Sequence, residues 1–125
     1  MQIIGDKLIS YEQLIYIKNT NLIKDNEHIV FDYDDKNLQL ALNNKLNFSL
    51  IVNDSYEAIM ANAVGAKFII IKNENLISEV QSLATYYLFD SKIAMLVNDK
   101  NDILRAIKLK IDAVIYKKAI KNGNF

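Results

Sequence analysis

From residue 29 onward, short apolar runs alternate with longer segments of mixed character. Residues 29–31, 48–52, 68–71, 93–97 and 113–116 are almost wholly apolar. Each run is too brief for a helix, and none alternates apolar with polar, so each is predicted to be a strand covered on both faces, as in a parallel sheet. The segments between them carry helical spacing. Leu38, Ala41, Leu42 and Leu46 mark the first, and Ala58, Ala61 and Ala63 the second. Leu76, Val80, Leu83 and Tyr87 mark the third, and Ile103, Ala106 and Ile107 the fourth.

Strand starts fall roughly twenty residues apart, near the minimum for a strand plus a crossover helix, so the loops must be tight. Gly65 stands where the second helix has to stop, as a left-handed glycine just past its end. Residues 1–28 are less regular. Ile3-Ile4 and residues 14–17 read as one or two further strands, with a helix from Tyr11 as the competing reading. The pattern predicts one α/β domain over residues 1–125, a three-layer open sheet of five or six mostly parallel strands, with residues 117–125 as a tail.

Composition narrows the chemistry. Fifteen basic and fifteen acidic side chains cancel, so no net field draws nucleic acid or an anionic membrane. Lys117, Lys118 and Lys121 are the nearest thing to a basic patch and read as part of a solvated tail. Without cysteine, disulfides, thiol nucleophiles and thiolate metal sites are excluded. Three glycines are too few and too scattered for a Walker loop or a GxGxxG turn. A single histidine, His28, rules out multi-histidine metal sites, and it is expected at the surface ahead of a strand. No apolar segment is long enough for a signal peptide or a spanning helix. Nineteen Ile and fifteen Asn fit an AT-rich bacterial genome, and the cytosol is the expected location.

Ligands of open parallel sheets bind beyond the carboxyl ends of the strands. Those ends carry Asp32, Asp34 and Asp35, then Asn53, Asp54 and Ser55, then Lys72 and Asn73, then Asn98 and Asp99, and last Lys117. Asn53, Ser55, Lys72, Asn98 and Lys117 are the candidate ligand-binding residues. Asp54, Asn73 and Asp99 each precede a helix and are predicted to be N-caps, Asp54 with Glu57 and Asp99 with Asp102 having capping-box spacing. Asp32 is different. It ends an apolar run two residues before the first plausible cap, and a carboxylate there needs pairing, water or a cation.

The stretch HIVFDYDDKNL at residues 28–38 resembles the first motif of the haloacid dehalogenase-like phosphatases. That resemblance implies Asp32 as nucleophile, Asp34 as general acid/base and Mg²⁺ held by Asp32 with Asp99 or Asp102; Ser55 and Lys72 match the second and third motifs. Asp35-Lys36 follows where the family has Gly-Thr. Residues 57–71 and 102–120 resemble helix–strand units of phosphate-binding (β/α)8 barrels, which implies half of such a barrel as the alternative architecture. The expected function is a small non-catalytic domain binding a ligand or a protein partner without a cofactor; the alternative is a minimal Mg²⁺-dependent phosphohydrolase. Tyr86-Tyr87-Leu88-Phe89 closes the third helix with four large side chains. Tyr87 and Leu88 are expected inward, leaving Tyr86 and Phe89 to form a homodimer contact.

Overall fold

The computed structural model describes residues 1–19 and 27–125. Among these residues eight strands form one sheet: β1 (Gln2–Ile4), β2 (Leu14–Tyr16), β3 (His28–Asp32), β4 (Asn47–Val52), β5 (Phe68–Ile71), β6 (Lys92–Val97), β7 (Ala113–Tyr116) and β8 (Ile120–Lys121). Four helices join the middle strands: α1 (Asp35–Asn43), α2 (Ser55–Ala63), α3 (Glu74–Tyr86) and α4 (Lys100–Lys108). Every pairing is parallel, in the order β1-β7-β6-β5-β4-β3-β2-β8.

That order forces the sheet to curl. Across a flat sheet six inter-strand steps of about 4.8 Å would separate β7 from β8 by roughly 29 Å. The chain from Tyr116 to Ile120 spans at most about 14 Å. The edges are therefore brought round towards each other, and the sheet is a half-barrel. The meeting place is tight: a Cβ on Gly5 would come within 2.8 Å of Ala119 Cβ and 2.9 Å of Tyr116 Cβ, and Gly5 has φ 104°. Only glycine suits both demands. Gln13 Nε2 donates across the same seam to Ala119 O at 2.9 Å.

Alternate strand residues feed two separate cores. Ile29, Phe31, Leu50, Ile69, Ile71, Ile93 and Val97 face outward and pack with buried helix residues Leu38, Ala58, Ile77 and Val80. Leu14, Val30, Ile51, Ile70, Leu96 and Ile115 face inward into a core lined by strand and seam residues with no helix contribution. The half-barrel expectation is thus the one found, while the second layer of helices required by a three-layer sheet is replaced by the sheet's own curvature.

The four helices end alike. An apolar residue returns its N–H to a buried alanine five positions back: Leu46 to Ala41 (2.9 Å), Ala66 to Ala61 (3.0 Å), Phe89 to Ala84 (2.9 Å) and Ile111 to Ala106 (3.4 Å). This is the Schellman closure, and the residue before the returning one is left-handed in each case. Gly65 fills that position after α2 as expected, with φ 88°. Lys45, Leu88 and Lys110 fill it elsewhere at φ 53°, 54° and 55°.

Several sequence expectations change here. β1 and β2 are both strands, so no helix starts at Tyr11. The presumed tail forms a 3-10 turn over Lys117–Ala119 and the strand β8. His28 is buried at 1 % exposure rather than lying on the surface, because it opens β3 facing inward. Leu42 and Ile107 are exposed. In α3 the buried stripe is Ile77, Val80 and Ala84. The left-handed turn at Leu88 swings Phe89 back against the outer core, while Tyr86, Tyr87 and Leu88 are exposed. The expected inward and outward sets are therefore exchanged at Tyr87, Leu88 and Phe89.

Candidate functional site

Because all strands are parallel, Asp32, Asn53, Lys72, Asn98 and Lys117 all stand at the carboxyl edge of the sheet. The helix caps account for most acids at this edge. Asp34 Oδ2 accepts the Asn37 N–H at 2.8 Å and caps α1. Asp54 accepts the Glu57 N–H at 2.8 Å while Glu57 accepts the Asn53 N–H at 2.8 Å, a capping-box-like exchange whose return bond falls on the residue before the cap. Asp99 and Asp102 repeat it, with Asp102 N–H to Asp99 at 3.1 Å and Asn98 N–H to Asp102 at 2.7 Å. Asn73 caps α3 through the Asn75 N–H. Asp54, Asn73 and Asp99 are thus helix N-caps, as their positions predict.

A pocket of about 210 Å³ opens where β5, β6 and β7 end. Lys72, Asn98 and Lys117 line it together, above the inward-facing Leu96. Three of the five candidate binding residues thus share one pocket. Asn53 and Ser55 do not: the Asn53 N–H is held by Glu57, and Ser55 Oγ donates to Glu79 Oε2 at 2.8 Å. Arg105 closes the outer wall, its guanidinium reaching Glu74 Oε1 at 2.6 Å and Asp102 Oδ1 at 2.8 Å. The Asn98 N–H, and then Arg105, hold the Asp102 carboxyl below the usual carboxylate range. The one guanidinium is thus shared between two carboxylates. Lys72 and Lys117 have no carboxylate partner among the described residues.

Phe125 forms the inner side of the mouth. Its ring meets Tyr16 edge-on at 5.5 Å, and Lys72 Nζ lies 5.5 Å from the ring centre. A Cβ on Gly123 would lie 2.2 Å from Phe125 Cε2, so glycine lets the chain fold back this closely. Tyr16 in turn donates its hydroxyl to Asp32 Oδ2. Burial foremost, then the hydrogen bond to Asp32 and its charge, push the Tyr16 hydroxyl up to about 12, so it remains a donor. The sequence reading missed Tyr16, Arg105 and Phe125. Tyr16 lay in a recognised apolar run, but nothing in one sequence fixed that it would pair with Asp32.

Asp32 and Asp99 do not come together, since β4 and β5 separate β3 from β6. Among the described residues no three His, Cys, Asp or Glu side chains are grouped to hold a metal ion. Asp34 is committed to its cap, and Asp32 to Tyr16. Nor is any helix among the described residues long and apolar enough to cross a membrane. Compared with protein-family models and with curated proteins, the chain matches none.

Proposed function

We propose that the protein is a small non-catalytic binding domain that takes a small anionic ligand at the carboxyl mouth of the half-barrel. The observation that carries this reading is the pair Lys72 and Lys117. Both line one pocket with Asn98, and both lack a carboxylate partner among the described residues, whereas Arg105 beside them is fully paired. Two ammonium groups and an amide offer charged and neutral donors to one anionic group. The volume lies below the roughly 300–1,000 Å³ typical of drug-sized ligands, which favours a compact molecule. The acids at the mouth serve caps and ion pairs, and this supports binding over catalysis.

Isothermal titration with small carboxylates and phosphomonoesters tests the reading. Lys72→Met and Lys117→Met should each weaken binding by about tenfold, the loss of one charge-assisted contact. Unchanged affinity in both variants would refute it. The hydrolase alternative predicts something else: Mg²⁺-dependent turnover of an aryl phosphate, abolished by Asp32→Asn. Such turnover would replace the binding reading.

A further inference from the structure

At the opposite end of the half-barrel, His28 opens β3 with its side chain wholly buried and its ring stacked on Phe68 at 6.1 Å. Its Nε2 lies 2.7 Å from Ser49 Oγ, which also accepts the Phe68 N–H at 3.0 Å. The serine hydroxyl has one proton to donate, and His28 Nε2 is its acceptor; a buried hydroxyl left without one is costly. That places the imidazole proton on Nδ1. The order Glu12, His28, Ser49 is that of an acid–base–nucleophile relay. Ser49, however, is fully buried and does not line the adjoining pocket, so its hydroxyl orients the imidazole and attacks nothing.

His28 Nδ1 is buried yet has no hydrogen-bond partner. The ring lines a pocket of about 150 Å³ together with Ser10, Tyr11, Glu12 and Lys67. Two of its lining residues, His28 and Lys67, and Asn47 beside it converge as donors on one carboxylate, that of Glu12 in the loop before β2. Asn47 Nδ2 is 3.3 Å from Oε1; Lys67 Nζ and His28 Nδ1 are 3.4 Å and 3.5 Å from Oε2. All three exceed the roughly 2.7–3.2 Å of a well-formed bond. The Glu12 side chain is 47 % exposed and can swing outward. A set of donors on three neighbouring strand starts thus holds a loosely fitting, tethered acceptor.

We propose that His28, Asn47 and Lys67 form a site for a small oxyanion, a carboxylate or inorganic phosphate, which Glu12 covers as an internal competitor. At about 150 Å³ the pocket lies well below the roughly 300–1,000 Å³ of drug-sized ligand sites and has room for such an ion. An incoming oxyanion accepts from the Nδ1–H of His28 and from Lys67 while the Glu12 carboxylate moves into solvent. The loop joining β1 to β2 then loses its hold on the strand starts.

Amide-resolved NMR titration at constant ionic strength tests this, with inorganic phosphate and acetate as separate arms. Glu12→Gln should bind at least one of them about tenfold more tightly than the natural chain, because a like charge beside the anion is removed. The shifts should centre on the amides of His28, Asn47 and Lys67, and adding Lys67→Met, a change at an exposed position, should cancel the gain. Equal affinity with and without Glu12, or a gain that survives Lys67→Met, would overturn the proposal. Shifts confined to Lys72, Asn98 and Lys117 would also overturn it, by placing the anion in the other mouth.

Discussion

Burial holds the His28 imidazole below its ordinary pKa of 6.5, with the Glu12 carboxylate pulling the other way and Lys67 reinforcing burial. The unfolded chain takes up a proton at His28 as pH falls past 6.5, whereas the folded chain does not until its lower pKa is reached. Stability should therefore decline with falling pH across that window. Asp102, also held low, adds its own loss only further down, below 3.8. Urea unfolding should show a lower midpoint at about pH 5.5 than at about pH 7.5, and His28→Asn should flatten the difference. A slope unchanged in the variant would assign the effect elsewhere. The buried state of His28 was not legible in the sequence. A polar residue ahead of an apolar run reads as a strand flank, and its partner Ser49 lies 21 positions away on a strand whose register no single sequence discloses.

At the scale of elements, the helix starts were legible and the helix ends mostly were not. Asp34, Asp54, Asn73 and Asp99 cap through local side-chain bonds that spacing alone predicts. Only Gly65 announced a left-handed stop. At Lys45, Leu88 and Lys110 the same turn is imposed by the closure onto a buried alanine, against the residue's own preference. Each of Lys45→Gly and Lys110→Gly should accordingly stabilise the fold by about 0.5–1 kcal/mol, strain relief outweighing the added freedom of the unfolded chain. Urea midpoints measure this; a destabilised pair would show that the lysines contribute contacts beyond the turn. Conversely, Asp54→Ala or Asp99→Ala should cost about 1 kcal/mol through loss of the cap.

For the whole molecule, we propose a homodimer through the end of α3, with the contact redrawn by the fold. Tyr86 and Tyr87 are in edge-to-face contact at 4.8 Å and, with Leu88, form an exposed apolar cluster, while Phe89 belongs to the outer core. A two-fold axis would bring the same cluster from two copies together. Sedimentation at micromolar concentration should show a dimer that Tyr86→Ser with Leu88→Ser dissociates; a monomer throughout, or a dimer indifferent to both changes, would remove the idea. The parallel run of strands from β3 to β7 was readable because a helix joins each to the next, but their order in the sheet was not. The curl was named only through the resemblance to half of a (β/α)8 barrel, since it depends on β8 crossing to β2. That crossing also imposes a sequence in time. The pairings from β2 to β7 close short loops, whereas Gln2 with Ala113 and Leu14 with Ile120 join segments more than a hundred residues apart. Loop-closure entropy and contact order place such pairings late in folding. The mouth built from Tyr16, Lys117 and Phe125 is thus expected to close in the final step, after the helices and central strands are in place.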